Sequence, residues 1–97
     1  MSAPARDRSA VLAFTREESW VVHAALLERV REAVEAGEYD EGHPELDALR
    51  TLESDADRFA PAEVHAVHAS LVGYLADAPL RDRPPARAAL ETTSDAL

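Results

Sequence analysis

Four histidines, two tyrosines and no cysteine are the residues from which this chain could build chemistry. His23, His65 and His68 are the candidates for a metal site, since a neutral imidazole is a common nitrogen ligand. A structural or catalytic zinc needs three or four ligands, so His65 or a glutamate would have to complete a shell begun by His23 and His68. The chain has no H-E-x-x-H run to set two histidines and a base on one helical face. Acid–base catalysis has less to work with. No carboxylate stands at i±4 from His23 or His68, and Glu18 and Glu63, five residues upstream, turn off the histidine face. There is no glycine-rich loop and no evident nucleophile, so the sequence designates no catalytic residue and no cofactor. His43, beside Pro44, is expected to be exposed. The prevailing expectation for His23 and His68 is structural: each ring neutral, buried and hydrogen-bonded, to the other or to Tyr74.

The elements that would position these residues are helices. Thr15 is a good N-cap, and Glu18 three positions on completes a T-x-x-E capping box, with Glu17 favoured at the positive end of the helix. The first helix is predicted from Arg16 to about Ala36, stopped by Gly37 in a left-handed cap. Pro44 opens a second helix running to about Asp57. Pro61 opens a third that ends near Asp77, before Pro79, with Phe59 stapled onto Val64. Pro85 opens a short last helix that frays beyond Thr93. No stretch alternates in the way a strand requires. The expected fold class is all-α: a small bundle of three main helices plus a short C-terminal one. Residues 1–97 form one helical domain in this reading, with 1–13 a flexible N-terminal segment and the 38–43 loop and 81–84 linker mobile.

The helices echo one another. Phe14, Glu18, Val22, His23, Ala24 and Leu26 recur 45 positions later as Phe59, Glu63, Val67, His68, Ala69 and Leu71. A weaker echo sets Pro44, Ala48, Leu49 and Thr51 against Pro85, Ala89, Leu90 and Thr92. The chain thereby parses into two helical hairpins, 14–57 and 59–97. Duplication produces such a pattern, and so does convergence among capped, alanine-rich helices. At about 100° per residue, Val22, Ala33, Leu26, Val30, Val34, Leu27 and Trp20 form one apolar arc on the first helix, and His23 falls within it. His68 falls between Leu75 and Val72 on the corresponding arc of the third. Both rings are therefore expected to face the core.

Composition bounds the rest. All ten basic residues are arginine, 19 residues are acidic, and the net charge is −9. Molar salt shrinks the Debye length to roughly 3 Å and screens such a surface, so the composition fits a halophilic, cytoplasmic setting. Nucleic acid is disfavoured as a partner, because the arginines are scattered among carboxylates and phosphate binding weakens as salt rises. DNA recognition through the turn before the third helix fails likewise, since that helix carries no arginine. The longest uncharged stretch, Val64 to Ala76, is thirteen residues, short of the ~20 needed to cross a bilayer. A membrane partner is accordingly not expected.

The third helix has a second line of small residues, Ala62, Ala66, Ala69, Gly73 and Ala76. Small residues at that spacing allow close helix approach, and alanine abundance alone can also produce the line. With Trp20 and Val21 they are the interface candidates.

The run from Thr15 to His23, the Leu46 to Leu52 helix and the Phe59 to Leu75 segment resemble an uncharacterised family of small acidic haloarchaeal proteins, a domain of unknown function. The resemblance implies no activity. The function expected from the residues is a protein-interaction or regulatory accessory module, binding an unidentified protein or a second copy of itself. The alternative is a small histidine-dependent metal-binding protein or enzyme.

Overall fold

The capping box forms at Thr15: Glu18 N–H donates to Thr15 Oγ1 at 3.2 Å, and Thr15 N–H donates to Glu18 Oε1 at 2.9 Å. It starts α1, Arg16–Glu35, in a computed structural model that describes residues 9–40 and 42–97. Gly37 ends it at φ 73°, with its N–H on Val34 O and that of Glu38 on Ala33 O. This is the paired closure that a left-handed residue after a helix permits. α2 is Pro44–Glu53 and α3 is Pro61–Asp77, each with proline in the first turn. A 3-10 turn, Leu80–Asp82, leads into α4, Arg83–Asp95.

Two boundaries differ from expectation. α2 stops four residues short of Asp57, because Ser54 Oγ turns back onto Thr51 O at 2.7 Å and Asp55 takes φ 63°. Residues 81–84, expected as a mobile linker, are instead the end of the 3-10 turn and the first turn of α4. In the 38–43 loop Glu41 lies outside the described residues, while Gly42 N–H donates to Asp40 Oδ1 at 2.8 Å.

The chain entering α1 corrects a third expectation. Ala10–Val11 (β1) pairs antiparallel with Arg58–Phe59 (β2), with Ala10 opposite Phe59 and Val11 opposite Arg58. Leu12 N–H extends the pairing to Asp57 O at 2.8 Å. The pair is only two residues long, too short for alternation to show in the sequence. Leu12 is 2% exposed and packs with Phe59 and Val64, and Phe14 meets Phe59 edge-on with ring centroids 6.3 Å apart. Of the segment expected to be flexible, residues 9–13 are thus held down, and 1–8 lie outside the described residues. Packing of Phe59 with Val64 is the predicted staple.

One core joins all four helices. Val22 and Leu26 from α1, Leu49 from α2, Val67 and Leu71 from α3 and Ala89 from α4 belong to a single buried cluster. The structure is an all-α bundle with a minimal two-stranded clasp. Between α2 and α3, Thr51 Oγ1 donates to Glu63 Oε1 at 2.9 Å. Beyond α3, Tyr74 Oη donates to Asp82 Oδ2 at 2.8 Å and Arg83 Nε to the Ala78 carbonyl at 3.2 Å. No helix among the described residues is long and apolar enough to cross a membrane.

Candidate functional site

α1 buries Val21, Val22, Ala25, Leu26 and Ala33, and that choice decides what remains on its outside. Val21, an interface candidate, is 5% exposed and belongs to the core. Trp20 one residue earlier is 72% exposed. The buried face is rotated from the predicted apolar arc towards Val21 and Ala25, so Leu27 and Val34 are also exposed and Val30 is only half-buried. Trp20, His23, Leu27, Val30 and Val34 stand at alternating spacings of three and four. That is the seam by which helices pack side by side.

His23 was expected inside the core beside His68. Its side chain is 35% exposed, and Nε2–H donates to Glu53 Oε2 at 2.9 Å. The cause lies in α2, whose last turn passes alongside the first half of α1 and offers a carboxylate 30 residues away in sequence. Nothing on the helical wheel of α1 foreshadows Glu53. His68 is half-buried, and Tyr74, a proposed histidine partner, is engaged by Asp82. The Tyr74 bond to Asp82, then burial, then the negative charges of Asp82 and Glu28 hold its hydroxyl above the usual 10.0, with Arg81 pulling the other way. His65 is exposed near Leu97, and His43, expected to be exposed, is half-buried beside Tyr39 with ring centroids 6.0 Å apart. The structure does not bring His23, His65 and His68 together, and no group of three metal-ligating side chains converges among the described residues.

Around Trp20 the surface forms a shallow depression of about 290 Å³, walled by Arg16, Ser19, Trp20 and His23 of α1 and by Leu52 and Glu53 of α2. A histidine hydrogen-bonded to a carboxylate is the base half of a hydrolytic triad. Ser19 shares the depression, yet among the described contacts its hydroxyl does not bond to the ring, so no nucleophile is engaged. An exposed indole, aliphatic neighbours and a polar pair at the edge have the make-up of a contact patch with a rim.

The small-residue line on α3 is divided. Ala66 is 5% exposed and Ala69 half-buried, covered by the fold itself, whereas Ala62, Gly73 and Ala76 are exposed. The middle of the line is thus covered within the bundle, and its two ends face outward.

In comparisons with known proteins, the model of a family of unknown function, DUF7853, matches residues 12–94. The matched stretch runs from buried Leu12 through α4. No curated protein matches, and no solved structure does.

Proposed function

The chain belongs to this family of unknown function, so its role has to be read from its own surface, and we propose that it is a protein-interaction module whose contact face is the outer seam of α1. The observation that carries this reading is Trp20, the chain's one tryptophan, 72% exposed at the head of an apolar line. Tryptophan is enriched among the few residues that dominate binding energy. Leu80 is more exposed still, but it stands alone in a turn, and isolated surface aliphatics are ordinary.

The occupant that fits is a second copy of the chain, laid antiparallel. With Leu27 on the two-fold axis, Trp20 faces Val34 of the second copy, a large residue against a small one at each end. Arg16, one turn before Trp20, then reaches the C-terminal end of the other α1. That end has no basic residue in its last turn and carries Glu32 and Glu35. A cation at a helix C-terminus is stabilised by the exposed carbonyls, so each copy supplies what the other lacks. The line from Arg16 to Val34 contains no carboxylate, although the chain holds 19. Molar salt would screen the repulsion between two chains of charge −9.

Sedimentation velocity in molar KCl tests the reading. The expected result is a monomer–dimer equilibrium that Leu27→Glu abolishes, because two carboxylates would then face each other on the axis. A wild-type chain that stays monomeric at millimolar concentration refutes self-association, and an undiminished dimer in Leu27→Glu refutes the seam.

A further inference from the structure

On the opposite shoulder of α1, where α3 runs beside it, a second groove encloses about 290 Å³. Three of its walls are carboxylates: Glu28 and Glu32 on α1 and Asp77 at the end of α3. Like charges one turn apart on α1 repel, and a carboxylate at a helix C-terminus opposes the helix dipole. Arg29 also borders the groove, but its guanidinium leans towards α2, where Nη2 stands 3.8 Å from Glu45 Oε2. The groove therefore carries an excess of negative charge.

Two features of its floor point to an occupant. Ser70 is 1% exposed, and its Oγ has no hydrogen-bond partner among the described residues. A serine in a helix ordinarily finds a backbone carbonyl or water, and a buried hydroxyl that makes no bond is a standing penalty in the fold. Beside it, Gly73 occupies the middle of α3 with a helical backbone, and a Cβ there would meet nothing within 4 Å. Glycine is the poorest helix former after proline. No turn and no close approach within the fold calls for it here; what its missing side chain provides is open floor.

We propose that this groove binds a small organic cation of the short aliphatic diamine class, with the Ser70 hydroxyl accepting an ammonium N–H and Glu28, Glu32 and Asp77 supplying the counter-charge. The volume lies at the small end of ligand sites and suits a short chain of methylenes. A chelated metal ion does not fit, since the carboxylates do not converge on a point. A diamine suits carboxylates set apart along a cleft, and its methylenes lie against Ala25 and Gly73. Tyr74 Oη, engaged by Asp82, stands at the groove edge in the same negative field. The site is independent of the seam around Trp20.

The test is a calorimetric and amide-shift titration of the full chain with putrescine at constant ionic strength. Saturable one-to-one binding is expected, with shifts centred on Ser70, Gly73 and Tyr74 and no response to the diol of the same length. Gly73→Leu grows a side chain into the open floor and should weaken binding by about tenfold or more, and Ser70→Ala should weaken it as well. If Ser70 is merely a core residue, Ser70→Ala leaves putrescine affinity unchanged and raises the melting temperature. That outcome overturns the proposal, as does a shift pattern that KCl reproduces at matched ionic strength. Glu32→Gln, on the exposed wall, provides the same readout should Gly73→Leu fail to fold.

Discussion

Truncating Trp20 separates a contact residue from a packing residue. A buried aromatic side chain covers about 150–250 Å², and Trp20 is 72% exposed, which leaves roughly 110–180 Å² available to a partner. At ~25 cal/mol per Å², full cover would contribute about 3–4.5 kcal/mol per copy. One aliphatic side chain from an antiparallel neighbour covers about half of an indole, or about 1.5–2 kcal/mol. A symmetric dimer contains the contact twice, so Trp20→Ala should cost about 3–4 kcal/mol of association, two to three orders of magnitude in Kd. The part of Trp20 already covered within the monomer corresponds to only about 1–2 kcal/mol of folding stability. Sedimentation equilibrium in molar KCl gives the first quantity and urea denaturation of the dilute monomer the second. The reasoning fails if the variant dimerises like the wild type, or if folding loses more than association does.

Leu12→Ala should destabilise the fold by about 2–4 kcal/mol in urea denaturation, because a 2%-exposed leucine leaves a cavity against Phe59 and Val64; a loss below about 0.5 kcal/mol would mean that the N-terminal clasp is not formed. The two helix glycines should respond with opposite sign: Gly73→Ala stabilises by about 0.5–1 kcal/mol, whereas Gly37→Ala at φ 73° destabilises by about 1 kcal/mol. Matching signs in their thermal melts would refute the assigned roles. For Tyr74 the raised ionisation of the folded state means that the Asp82 bond contributes fully below pH 10.0 and is lost as pH climbs through the higher folded value. Wild type should therefore lose melting temperature between pH 9 and 11 more steeply than Tyr74→Phe, and identical slopes would contradict the bond.

How legible the fold was follows the range over which each signal acts. Capping chemistry is local, so Thr15, Glu18, Gly37 and Pro61 placed the ends of α1 and the whole of α3 to within a residue. The end of α2 was missed because Asp57 looks compatible with a helix, and only the left-handed Asp55 stops it earlier. The β1–β2 clasp joins residues nearly 50 apart through two ladder positions, and its cause is tertiary: Leu12 needs Phe59 and Val64 to cover it. The histidines show the same limit. A helical wheel put His23 in an apolar arc correctly, but it does not say how far the neighbouring helices extend around that arc. Glu53, which decides what the ring does, belongs to another helix. Ser70 and Gly73 carry no pattern of their own and become informative only once α1 and its carboxylates stand opposite them.

The width of the arc on α1 is the physical root of the interaction reading. From Val22 round to Trp20 it spans about 160° at about 100° per residue, whereas a stripe of roughly 100° suffices to face a core. The bundle uses the half that includes Val22, Leu26 and Ala33 and leaves Trp20, Leu27 and Val34 in solvent. A chain this small gains little margin from its own core, so apolar surface left outside is surface the fold has not used. The remainder of α1 mixes buried Val21 and Ala25 with charged residues: Glu28 and Glu32 border the groove beside α3, Arg29 leans towards α2, and Arg31 and Glu35 are exposed. The uncharged seam is therefore not a by-product of a uniformly apolar segment. In the proposed dimer, Trp20, Leu27 and Val34 would leave solvent together, while the charged shoulder of α1 stays in water.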